Sequence, residues 1–451
     1  MSVDCLGNAV TGGDAATIAG IDAFVGGMLA YEQRALDVLA AADGAPGHCL
    51  ANVYAGMLHM LGEEPGAPAN ATPYWRRAEA AVASVGARER MAVAALGHWI
   101  AGEHEAVIAT LEGIVAAYPR DLLALKMLHY HQFNRGDFPA MLRAALSCEA
   151  VSGDVPYLHG MIAFGYEQCH LLGEAEASAR QALAMLPREP WAQHALAHVM
   201  LTQGRIDEGA AFLASVRVGW TGLNSFMVTH LWWHLALFAM SQGREVEALA
   251  IYDREVWAVA KDYSQDQIGA VSLLARLEMD GADVGERWQA LGLYLAARAQ
   301  DVTQPFLSVQ YLYGLARAGM AEADALLDAI RAIADDQGGA WAEAALPLAE
   351  GLVAHARGHY EAASIALTGA LPHLIRMGGS HAQRDLFDQI LLDAHIRAGH
   401  FIDAQQMLEL RRAHDPDGVP LNRKLAGVYR RLGLDTLADA ADARVERRLA
   451  A

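Results

Sequence analysis

One phrase recurs down the chain and limits what it can fold into: a helical run, a single glycine, then a second helical run. It reads WIAGEHEAV at Gly102, FNRGDFPAM at Gly136, HLLGEAEAS at Gly173, LTQGRIDEG at Gly204 and MSQGREVEA at Gly243. It returns at Gly319, Gly358, Gly399 and Gly433. From Gly102 to Gly243 the successive gaps are 34, 37, 31 and 39 residues. From Gly319 to Gly433 they are 39, 41 and 34, and Gly281 stands midway across the wide gap between Gly243 and Gly319. Self-similarity at this period marks an array of helical hairpins, each of which buries its apolar face only against its neighbours.

Each glycine is expected to close the turn between two helices, because only glycine takes the left-handed conformation there without a steric penalty. Small residues after it (Ala106, Ala175, Ala248, Ala323, Ala363, Ala404) let the second helix approach the first. Pro119, Pro187 and Pro416 close units. The expected fold class is all-α, a right-handed superhelical solenoid of about ten or eleven tetratricopeptide-like hairpins. The expected division is residues 1–74, a loose Gly- and Ala-rich arm with a first hairpin, and residues 75–451, the repeat array. The segment Glu63–Tyr74, with three prolines and a glycine, reads as a loop.

Composition narrows the partners. The chain of 451 residues is 54% hydrophobic and carries a net charge of −19. That balance argues against nucleic acid and anionic membrane, since phosphate binding needs a basic stripe. Cys5, Cys49, Cys148 and Cys169 show no paired spacing, as expected of thiols in a reducing compartment. No signal peptide and no spanning apolar run is visible, so a soluble cytoplasmic protein is expected. A homo-oligomer is left open.

Two neighbouring units carry paired histidines. WAQHALAH holds His194 and His198; HLWWH holds His230 and His234. The i,i+4 spacing puts both rings of a pair on one helix face. His194 and His198 lie 10 and 6 residues before Gly204; His230 and His234 lie 13 and 9 before Gly243. Glu167 lies 6 before Gly173, matching His198, and His129 and His131 precede Gly136. Four adjacent helices are thus expected to point imidazoles and a carboxylate into one concave groove. The alternative is that the rings merely pack between helices. A metal site remains open: the spacing suits zinc on a helix, but HExxH is absent.

A second constellation is GGSHAQRD, Gly378–Asp385. Ser380 and Gln383 have capping-box spacing. His381 and Asp385 are spaced to form an imidazole–carboxylate pair, and Arg384 could hold an anion. Trp220, Phe226, Trp232 and Trp233 form an aromatic cluster that reads as core, with Trp233 beside the second histidine pair. Asp266 reads as a helix cap. No phosphate-binding glycine loop and no GxSxG elbow is present.

The stretches EPWAQHALAHVMLTQGR, THLWWHLALFAMSQGR, SLLARLEMDGADVGERW and GGSHAQRDLF resemble the tetratricopeptide repeat protein 38 family, from about residue 90 onward. The resemblance implies an all-helical repeat fold, no settled activity, and a role for the histidine stretches beyond filling space. The expected function is capture of a small polar molecule or peptide in the histidine-lined groove. The expected ligand-binding residues are Glu167, His194, His198, His230, Trp233, His234, His381, Arg384 and Asp385. The alternative is an enzyme, metal-dependent or using histidine acid–base chemistry. Cofactor, metal and reaction are left unknown.

Overall fold

The computed structural model describes residues 2–450. Those residues form twenty-five α-helices joined by short turns, with one two-stranded β-hairpin at the start. The architecture is the all-α array of tetratricopeptide-like hairpins that the glycine period implies. The chain separates into two compact units, Met1–Leu196 with Val218–Met227, and Ala197–Arg217 with Val228–Ala451.

The glycine turns have one hydrogen-bond signature. The Gly204 N–H donates to Leu201 O at 3.2 Å, and the Arg205 N–H donates to Met200 O at 2.9 Å. Gly136 and Gly243 repeat it with their own preceding turns, and all three have φ near +70°. Gly173 does not. The left-handed residue in its unit is His170, φ +58°, whose N–H donates to Glu167 O while that of Leu171 donates to Tyr166 O. Gly173 lies inside the following helix, Leu172–Met185. The turn therefore sits three residues earlier than expected. With it corrected, 170−136 and 204−170 are both 34, the standard tetratricopeptide period.

In the first unit, Ser2–Val3 pairs with Ala9–Val10, so the expected loose arm is an ordered hairpin. Arg88 holds it down, donating to Ala9 O at 2.8 Å and pairing with Asp121 at 2.6 Å in the interior. The expected loop at Glu63–Tyr74 is also corrected, because Ala67–Ala81 is a helix. Pro68 lies in its first turn, where no N–H is needed, and Pro73 is accommodated within it. The expected break at residue 74 thus falls inside a helix. The returning segment Val218–Met227 lies along the end of the first long helix, Ala15–Ala30. The Asn224 N–H donates to Tyr31 O at 2.6 Å, and Glu32 bridges Leu223.

The second unit closes on itself. Its last helix, Asp435–Ala450, returns to its first hairpin, where Arg448 pairs with Asp207 at 241 residues' separation. Ser241 donates to Asp415 at 2.6 Å, and Arg423 pairs with Glu245. Gly204 lies so near this seam that a Cβ would collide with the carbonyl oxygen of His414. At Gly319 a Cβ would meet nothing within 4 Å, although φ is +71°. Gly319→Ala should therefore cost only the left-handed strain, about 1–2 kcal/mol. Gly204→Ala should cost about twice that or more, because seam and strain add. Thermal unfolding of the two variants checks the order; equal melting temperatures would contradict the closure.

Candidate functional site

Three histidines meet in the second unit. His198 comes from helix Pro190–Thr202; His230 and His234 come from helix Ser225–Ser241. Their metal-ligating nitrogens all lie within 4.8 Å of one another. The His198 and His234 rings are 4.5 Å apart and those of His230 and His234 are 4.8 Å apart. His198 and His234 are fully buried and His230 is 8% exposed. Burial pushes the imidazoles of His198 and His230 down to about 3, which favours their neutral forms.

Around them stands a polar shell. The His381 ring meets that of His198 edge-on at 5.5 Å, and its Nε2 is 3.0 Å from Thr202 Oγ1. His230 lies flat against Trp233 at 5.3 Å and 8°. Trp233 is 1% exposed, and its Nε1 has no hydrogen-bond acceptor among the described residues. Over its ring, 5.3 Å from the centroid, sits the Arg276 guanidinium. One residue before His230, Thr229 donates to Asp266 Oδ1 at 3.2 Å. Asp266 lies in the first turn of helix Ser264–Met279 and also accepts the Ala260 N–H, so it braces the histidine helix rather than capping its own.

Other expected residues are placed differently. Asp385 gives its oxygens to Arg411 at 2.5 Å, Gln389 at 2.6 Å and Arg276 at 3.7 Å, not to His381. Burial alone would raise its carboxyl; Arg411 and Arg276 overcome that and hold it well below the usual range. Arg384 donates to Gly378 O and Gly379 O, fastening its own double-glycine turn. Ser380 and Gln383 do form the capping box of helix His381–Ala398.

Glu167 and His194 belong to the first unit. The corrected turn removes the match between Glu167 and His198: six residues before His170 stands Phe164. Glu167 is buried and accepts from Gln168 Nε2 at 2.6 Å. The His194 ring lies on Trp191 at 4.4 Å and 25°, beside Phe164. His129 and His131 do not extend the cluster. His129 is 3.0 Å from Met141 O, and His131 sits edge-on to Trp99 and Tyr130. Trp220 is a core residue of the first unit, donating to Gln193 Oε1 at 2.9 Å.

Arg276 was missed from sequence. It is 1% exposed, donates to Ser272 Oγ and to Ala382 O at 2.9 Å, and reaches Asp385. Its signal was a single cation inside the apolar run VSLLARLEM. The arrangement can do two things: hold a cation on three buried imidazoles, and offer the Trp233 N–H to an acceptor oxygen beside it.

No protein-family model matches the chain. Similar solved structures are helical-repeat proteins. The human IFIT1 dimer with PPP-AAAA matches at 14% identity and TM-score 0.42, over 93% of this chain and 94% of that one. A Rap protein complexed with Competence and Sporulation Factor matches at 10% identity and TM-score 0.38, over 88% and 96%. The P58(IPK) TPR domain matches at 13% and 0.23, over 81% and 96%. The expectation that excludes nucleic acid is corrected here, because IFIT1 structures among these neighbours hold one. Net charge sums over the whole surface, whereas binding depends on the local field of one groove. Among the described residues no helix is long and apolar enough to cross a membrane.

Asp385 gives a stability test. A depressed carboxyl adds stability above its unfolded value of about 3.9, lost as pH falls below that. Asp385→Asn should flatten this acid limb. It should also lower stability at pH 7 by about 1.5–3 kcal/mol, since it strips a carboxylate from the buried Arg276 and the half-buried Arg411. Urea unfolding at pH 7 and pH 3 checks both effects; an unchanged acid limb would contradict the pairing.

Proposed function

We propose that this is a tetratricopeptide-type binding protein whose second unit holds a transition-metal ion on His198, His230 and His234, with a small polar molecule beside it. The observation that carries this reading is the meeting of three buried imidazoles with nitrogens within 4.8 Å of one another. Zinc bound at about 2.0–2.1 Å to each nitrogen needs those nitrogens about 3.4 Å apart, a contraction that side-chain rotation can supply. Three protein ligands leave the fourth position open, which is the pattern of sites that bind or transform a small molecule. The Trp233 N–H, buried without an acceptor, suits an oxygen of that molecule. His381 and Thr202 form the adjacent polar wall.

The enclosure favours a reaction at the ion over exchange in an open groove, since dry sites strengthen electrostatic effects on a bound substrate. When bound, the ion would supply Lewis-acid polarisation. We also read the chain as a relative of the tetratricopeptide repeat protein 38 family, on the histidine, tryptophan and double-glycine stretches. Four free cysteines are consistent with a cytoplasmic setting.

Metal content of untagged protein by inductively coupled plasma mass spectrometry tests the proposal. Near one equivalent of zinc, iron or manganese is expected in the wild type, falling to background in His198→Ala/His234→Ala with circular dichroism unchanged. If the double variant does not fold, His198→Gln alone serves. Metal-free wild type that also fails to take up added zinc would leave the rings as packing residues.

A further inference from the structure

The first unit carries a lysine amine that the histidine site does not use. Lys126 lies in helix Leu122–Asn134, within the apolar run LLALKMLHY, and is only partly exposed. Its Nζ sits 3.4 Å from the centroid of the Tyr31 ring and 5.9 Å from that of Trp191. Among the described residues, no carboxylate lies within ion-pair distance of it. The acidic side chain that acts on it is Glu189, which is fully buried. Glu189 is committed elsewhere, accepting the N–H groups of Trp191 and Ala192 at the start of their helix.

The platform beneath Lys126 is built with care for position. Tyr31 ends helix Ala15–Ala30 in the left-handed conformation, φ +55°, which a tyrosine adopts only when its surroundings enforce it. Those surroundings are the returning segment, which bonds the Tyr31 carbonyl and the two residues after it: Asn224 N to Tyr31 O, Leu223 to Glu32, and Gln33 N to Gly222 O at 3.1 Å. The Tyr31 ring stacks on Trp191 at 5.0 Å and 25°, and tilts against Phe226 at 6.0 Å. Tyr31, Lys126, Trp191 and Phe226 all remain partly exposed.

A cation–π contact satisfies one side of an ammonium and leaves its other N–H donors seeking an acceptor. A half-buried ammonium whose neighbouring carboxylate is hydrogen-bonded elsewhere and beyond ion-pair distance gains from an anionic ligand. We propose that Lys126, Tyr31, Trp191 and Phe226 form a second ligand site, which takes a small organic anion: its carboxylate or phosphate on Lys126, its apolar body against the aromatic side chains. This site uses none of His198, His230 and His234 and does not depend on a metal.

Isothermal titration calorimetry on the full chain tests it with benzoate, phenylacetate and phenyl phosphate, and with neutral phenylacetamide as control. At least one anion is expected to bind, at least tenfold more tightly than phenylacetamide. The preferred anion identifies carboxylate or phosphate as the group recognised. Lys126→Met, which keeps the apolar stem, should weaken that anion at least tenfold and leave phenylacetamide unchanged. If the methionine variant does not fold, Lys126→Gln serves. His198→Ala/His234→Ala should bind the anion as the wild type does, which separates this proposal from the metal reading. Failure of all three anions to bind the wild type, or binding undiminished in the Lys126 variants, would overturn the site.

Discussion

One buried guanidinium organises the interior of the second unit. Arg276 lies on helix Ser264–Met279, yet it bonds the carbonyl of Ala382 and reaches Asp385, both on helix His381–Ala398. Beneath it lies Trp233, and against Trp233 lies His230. A cation removed from water must be matched by acceptors and opposite charge, so those elements are fixed relative to one another. Burial lowers the guanidinium to about 10, still high enough for it to stay charged at neutral pH. The helix that carries His381 is thereby held beside the helices that carry His198, His230 and His234.

Closure of the second unit supplies the rest. A repeat array normally ends in exposed capping faces and offers an open inner surface. Here the last hairpins return to the first, through Arg448 with Asp207 and Ser241 with Asp415. Ion pairs join further elements of this unit, among them Lys424 with Asp280 and Arg411 with Asp385. The result is a buried polar cluster in which burial favours neutral His198 and His230. That environment suits coordination of a cation better than it suits the long peptide groove that an open array would present.

The repeat was legible because it rests on local chemistry: glycine in a left-handed turn, small residues where helices touch. Its one misreading, at Gly173, has the same origin. A glycine stood near the turn, but His170 took the left-handed position, and only the hydrogen bonds of His170 and Leu171 reveal it. Offsets counted from Gly173 then gave Glu167 the register of His198, which the true turn at His170 gives to Phe164. The meeting of His198 with His230 and His234 followed from spacing within adjacent units and could be anticipated. The partners of Asp385 and Arg276 could not, because they depend on contacts across 26 and 106 residues. Lys126 escaped notice because its ring partners Tyr31 and Trp191 lie far away in sequence.

The central claim concerns coordination, so the most direct measurement is X-ray absorption fine structure at the edge of the bound metal. The account predicts a first shell containing three imidazole nitrogens at about 2.0–2.1 Å, with the multiple scattering that histidine rings produce, for bound zinc. A shell of oxygens alone, or one containing cysteine sulfur, would contradict it.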